Sequence, residues 1–139
     1  MLHCTATPHT TTIESLIEHW KQLGWKGVGY HFVIKPTGAI VNLLDIEKVS
    51  NGVAGYNAHS IHISYIGGVD TSTANWKAVD NRTEAQKIAQ IELIKQLWEK
   101  FPNARVLGHR DFPNVKKDCP SFDVATWLKE VKLEPPLMT

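Results

Sequence analysis

The tripeptide Pro36-Thr37-Gly38 restricts the fold more than any other feature of the chain. Before it, Gly29 to Lys35 alternates Tyr30, Phe32 and Ile34 with His31 and Val33, the period of two expected of a strand. After it, Ala39 to Leu43 reads as the return strand, so the turn joins an antiparallel pair. The remaining signals interleave helices with strands. Thr11 and Glu14 suggest a capping box, with Ile13, Leu16, Ile17 and Trp20 as the apolar stripe and Gly24 as the stop. Thr83 and Gln86 repeat the start signal, Ile88, Ile91, Ile94, Trp98 and Phe101 form the stripe, and Pro102 ends it. Asp123 caps a third helix that turns Val124, Trp127, Leu128 and Val131 inward. Ile61 to Gly67 is a third strand, Arg105 to Gly108 a short fourth, and Leu2 to Cys4 the stub of another. A hairpin inside an interleaved order requires a mixed sheet. The expected fold class is α/β: a single domain whose central mixed β-sheet is flanked by helices on both faces.

A length of 139 residues supports one core without disulfide staples. The expected domain is 1–139, with its core over about 2–131 and a short tail over 132–139. Net charge is +1 and no basic block exceeds Lys116-Lys117, which disfavours nucleic acid and anionic membrane as partners. No apolar run approaches the roughly 20 residues of a membrane span. No signal-peptide pattern opens the chain, so synthesis in the cytoplasm is expected. The two cysteines, Cys4 and Cys119, make no disulfide framework. Gly52 to His59 and Gly68 to Asn81 are polar and read as surface loops.

The chemistry concentrates at three places. His109, in Gly108-His109-Arg110-Asp111, is followed ten positions later by Cys119, in Lys117-Asp118-Cys119-Pro120. His3 offers a third donor at the end of the first strand. Two imidazoles and a thiolate suit zinc, and three protein ligands with one open position is the catalytic arrangement. Spacing alone still leaves each residue readable as a packed or surface side chain, and no local pattern links His3 to Cys119.

An ordered set of motifs goes further. It comprises His3-Cys4-Thr5-Ala6-Thr7-Pro8, Gly27-Val28-Gly29-Tyr30-His31-Phe32-Val33-Ile34, Gly55-Tyr56-Asn57, Ser60-Ile61, Ile66-Gly67-Gly68, Gly108-His109-Arg110-Asp111 and Lys117-Asp118-Cys119-Pro120-Ser121-Phe122-Asp123. In this order they resemble the phage-lysozyme-type N-acetylmuramoyl-L-alanine amidases of the amidase-2 and peptidoglycan-recognition-protein superfamily. The likeness runs from His3 to about Trp127. It implies one zinc ion per chain held by His3, His109 and Cys119, with Tyr30 and Lys117 as catalytic residues. It implies peptidoglycan as partner, cleavage of the bond between muramic acid and the stem peptide, and action on the cell wall after release or export by another route. A monomer is expected. No Glu stands out as general base, so Tyr30 and the metal-bound hydroxide would share that task.

Other residues carry two readings each. Alternation sends His31 away from Tyr30, as a structural residue or one that supports a ligand. Cys4 turns away from His3 as a buried thiol. Asp111 and Asp123 either orient a ligand histidine or cap local structure. Asn57 and His59 are candidate substrate contacts, while His59 and His62 also read as surface histidines. Trp25 reads as packing. The short first strand and a Gly52-Val53-Ala54-Gly55 loop without histidine depart from the family pattern. Three other functions compete: a peptidoglycan-binding module without activity, a metal-free hydrolase with Cys119 as nucleophile and His109 as base, and a structural zinc domain.

Overall fold

Strand Ile63–Tyr65 is the hub onto which two other strands pair. In a computed structural model that describes residues 1–50, 59–72, 74–112 and 118–135, the strands in chain order are β1 (Leu2–Cys4), β2 (Phe32–Ile34), β3 (Ile40–Asn42) and β4 (Ile63–Tyr65). They lie in the order β1-β4-β2-β3. β4 pairs in parallel with β1 and β2, and β2 pairs antiparallel with β3. The sheet is therefore mixed, and the turn behaves as its sequence demands. The Gly38 N–H donates to the Lys35 carbonyl at 2.8 Å, and Gly38 takes φ +90°. Side chains with a Cβ disfavour that region.

Helices α1 (Ile13–Gln22), α2 (Glu84–Lys100) and α3 (Val124–Glu130) cover both faces. Leu16 and Trp20 of α1 pack with Val33 and Ile66, with Tyr30 and Leu43 partly buried beside them. On the other face, Leu2, Cys4, Ile34, Ile63 and Tyr65 meet Ala89, Leu93, Ile94 and Trp98 of α2, with Val124 and Trp127 of α3. This second cluster continues to Leu133. None of the helices is long and apolar enough to cross a membrane, among the described residues.

Local signals were good guides to where helices begin. Thr83 accepts from the Gln86 N–H, and Gln86 Oε1 accepts from the Thr83 N–H, a complete capping box. Asp123 caps α3 through the Thr126 N–H. The first helix starts one residue later than expected: Thr12, not Thr11, accepts from the Ser15 N–H. Gly24 follows that helix at φ +83°.

The expected stripe of α2 holds at Ile91, Ile94 and Trp98 but not at its two ends. Ile88 is 60% exposed and Phe101 43%, while Gln86 and Gln90 are buried. Gln86 Nε2 donates to the Ile34 and Ile66 carbonyls at 3.2 and 3.0 Å, so it closes the ends of β2 and β4. Gln90 accepts from Arg82 at 2.9 Å, and the Arg82 guanidinium also binds Asp80 and lies 3.5 Å over the Phe122 ring. A buried amide with partners occupies the core as an apolar side chain would, and the apolar pattern cannot show this. Val131 and Trp25 are likewise 38% and 37% exposed rather than packed inward. Arg105 to Gly108 forms no strand; it makes one bridge, Gly108 to Leu2. The Gly68 to Asn81 stretch holds a small antiparallel pair, β5 (Val69–Asp70) and β6 (Lys77–Ala78).

Candidate metal centre

The Leu2–Gly108 bridge builds the site. The Leu2 N–H donates to the Leu107 carbonyl at 2.7 Å. One residue beyond the bridge on each side stand His3 and His109, whose ring centroids are 4.8 Å apart. His109 opens a 3-10 turn, His109–Asp111, held by the Gly108 N–H donating to Asp111 Oδ2 at 2.8 Å. Asp111 thus acts as a local cap, as Asp123 does. Gly108 has no room for a side chain: a Cβ would stand 2.9 Å from Pro120 Cδ and 3.0 Å from Val124 Cγ2. That close approach draws Cys119 in, and the Arg110 N–H donates to its carbonyl at 2.9 Å.

The donor atoms of His3, His109 and Cys119 lie within 4.8 Å of one another. His3 Nδ1 is 3.8 Å from Cys119 Sγ. Tetrahedral zinc with bonds of about 2.0–2.1 Å to nitrogen and about 2.3 Å to sulfur holds such a pair roughly 3.5 Å apart. Two imidazoles and one thiol are also the donor types zinc prefers, so the three residues fit that ion. The Cys4 N–H points at Cys119 Sγ from 3.2 Å, a dipole that complements a thiolate.

Tyr30 stands beside this group. Its ring is 5.0 Å from that of His3 and edge-on to Trp20 at 5.6 Å. Its hydroxyl donates to the Cys4 carbonyl at 3.4 Å. Gly29 makes this possible, since a Cβ there would meet the Trp20 indole at 2.9 Å. Burial, with the negative charge of the Cys119 and Cys4 sulfurs, pushes the phenol well above its ordinary value. It is therefore a protonated donor at neutral pH. Tyr30 does not share a face with Phe32 and Ile34, as alternation suggested. It joins Val33 on the α1 side, because regular strand geometry begins only at Phe32.

Cys4 is buried, as expected, and its thiol is held down to about 7 by hydrogen bonding to Cys119, with burial opposing and Ser121 assisting. Gly68 lies against it: a Cβ there would be 2.5 Å from Cys4 Sγ, and φ is +96°. This accounts for the second glycine of the Ile66-Gly67-Gly68 motif.

His62 is the residue that sequence reading missed. It was read as a surface histidine, yet it is fully buried, with its Nδ1 2.8 Å from His3 Nε2. Burial first, and then neighbouring positive charge, drives its pKa down to about 3. The available signal was its place one residue before Ile63, on the sheet face opposite that core residue. His31 is buried too and structural. Its Nδ1 accepts the His62 N–H at 3.0 Å and its Nε2 donates to the Lys48 carbonyl at 2.7 Å. Burial lowers its pKa as well. His59 is exposed and lines a separate apolar groove of about 930 Å³ with Met1, Ile94 and Phe101. None of His3, Tyr30, His109 or Cys119 lines that groove. Asn57 and Lys117, and the Gly52 to Gly55 segment, lie outside the described residues.

A family model described as N-acetylmuramoyl-L-alanine amidase matches residues 1–122. The endolysin of Klebsiella phage KP32 is 34% identical over 134 residues, 95% of this chain and 85% of that protein. Among solved structures, the N-acetylmuramoyl-L-alanine amidase LysC from Clostridium intestinale URNW superposes with a TM-score of 0.77 at 24% identity, over 96% of this chain and 83% of that one. Apis mellifera PGRP-SA superposes at 0.72 and 20% identity, over 99% and 83%. At these identities the two structures speak to the fold alone.

Proposed function

The chain belongs to the N-acetylmuramoyl-L-alanine amidase family, and we propose that it is a zinc-dependent hydrolase of the amide joining N-acetylmuramic acid to the L-alanine of the peptidoglycan stem. The observation that carries the zinc dependence is the convergence of His3, His109 and Cys119 from three separate segments. Zinc, when bound, makes hydroxide available near pH 7 and polarises the scissile carbonyl. The protein's own groups do the rest. His3, His109 and Cys119 would hold the ion. Tyr30, kept protonated by burial, donates a hydrogen bond toward the oxygen that gains charge. Lys117 supplies a positive charge for the same oxygen, a role that rests on the family motif around Cys119.

The test is release of stem peptides from purified peptidoglycan. New L-alanine amino ends should appear without new reducing sugar ends. A chelator should abolish release, and added zinc should restore it. Activity that survives exhaustive chelation would favour Cys119 as nucleophile. Tight binding to peptidoglycan with no release would make the domain a recognition module.

A further inference from the structure

The buried contact between His3 and His62 carries information about protons. Only one proton lies between His3 Nε2 and His62 Nδ1 at 2.8 Å. If His62 donates it, a neutral His3 carries its own proton on Nδ1, the atom that faces Cys119 Sγ at 3.8 Å. That nitrogen then has no lone pair for a metal. If His3 donates it, Nδ1 is left bare and can bind.

The backbone of His62 is fixed on both sides. Its N–H donates to His31 Nδ1, and its carbonyl accepts the N–H groups of His31 and Phe32 at 2.9 and 3.1 Å. The two rings stack at 5.8 Å with 11° between their planes. Because His31 Nδ1 accepts that N–H, its proton sits on Nε2, which donates to Lys48. The His62 ring has a different balance. Its Nε2 is buried without a hydrogen-bond partner among the described residues. An apolar side chain would fill that space and leave no orphaned nitrogen. The imidazole is explained by what its other nitrogen does for His3.

We propose that His62 is a positioning residue of the metal centre, accepting the Nε2 proton of His3 so that Nδ1 of His3 is presented to zinc. This rests on reading His3, His109 and Cys119 as the zinc ligands.

Zinc affinity, measured by competition with a chromophoric chelator, tests it on the full chain. His62→Leu removes the acceptor, whereas His62→Asn keeps an oxygen at the branch position of Nδ1. Loss of such a supporting partner typically weakens metal binding about 10–100-fold. His62→Leu should show a loss of that size, and His62→Asn should recover most of it. Equal affinity in wild type and His62→Leu would overturn the inference, as would equal loss in two folded variants. If His62→Leu does not fold, nitrogen NMR of zinc-loaded wild type decides. The proton should reside on Nε2 of both His3 and His62; a protonated His62 Nδ1 would overturn the inference. Wild type that binds no zinc, or Cys119→Ser that binds as tightly, overturns the ligand assignment itself. Wild type that needs Cys119 for zinc but not His62 overturns only the role of His62.

Discussion

The backbone N–H of Cys4 donates to Cys119 Sγ at 3.2 Å, across 115 positions of sequence. The first strand therefore does two things for the metal centre. It carries the proposed ligand His3, and it aims a peptide dipole at the Cys119 sulfur. The Tyr30 hydroxyl reaches the carbonyl of the same Cys4. One short strand thus ties His3, the Cys119 thiol and Tyr30 to a common frame.

Cys119→Ser should strip most of the zinc while the chain stays folded. A serine hydroxyl is a far poorer zinc donor than a thiolate at neutral pH. Elemental analysis of purified protein reads the result directly. Metal content equal to wild type would show that the ion is held elsewhere.

Tyr30→Phe separates a catalytic tyrosine from a packing one. Its hydrogen bond to the Cys4 carbonyl is long at 3.4 Å, so the stability cost should sit at the low end of the usual about 0.5–1.5 kcal/mol. Loss of a proton donor at the reacting centre should instead reduce turnover about a hundredfold to ten-thousandfold. The expected variant is folded, zinc-loaded and nearly inactive. Melting temperature, metal content and stem-peptide release on one preparation check all three, and wild-type release would return Tyr30 to the core.

Gln86→Leu keeps the side-chain volume in the core but takes the Gln86 partner from the Ile66 carbonyl and the Thr83 N–H, while the Ile34 carbonyl keeps the Ile66 N–H at 3.0 Å. Each orphaned buried group costs about 1–3 kcal/mol. A loss of about 3 kcal/mol is expected in urea unfolding, with zinc affinity little changed because Gln86 is on the face away from His3. A neutral result would mean that the Ile66 carbonyl and the Thr83 N–H find other partners.

Acid should expose the Asp80–Arg82 pair. Burial pushes the Asp80 carboxyl up, but hydrogen bonds and charge from Arg82 outweigh this and hold it below its ordinary value. A carboxyl lowered in the folded state contributes stability that is present above its unfolded pKa of about 3.9 and is lost as pH falls through the folded value. Asp80→Asn removes that contribution at neutral pH. The stability gap between wild type and Asp80→Asn should therefore be widest near neutrality and close as pH drops below about 4. Urea midpoints across that range test it, and a gap that grows in acid would reverse the sign assigned to Asp80.

Helix starts and the hairpin were legible in the sequence, for reasons of range. A cap is settled within four residues, as Thr83 with Gln86 and Asp123 with Thr126 show. A turn is settled within three, as Pro36 to Gly38 shows. His3, Tyr30, His109 and Cys119 were legible as an ordered motif, though spacing could not say that they meet.

Only the tertiary structure decided how they meet and what surrounds them. Leu2 finds Gly108 across 106 positions, and that pairing sets His3 beside His109. Nothing local in either segment encodes the bridge, which follows from burying both faces of one sheet. The same holds for polar side chains in the interior. Gln86, Gln90 and His62 look like solvent-facing residues in a hydropathy pattern, because that pattern records transfer from water and not the partners waiting inside. Once Ile34, Ile66, Arg82 and His3 supply those partners, burial of an amide or an imidazole no longer carries its full penalty.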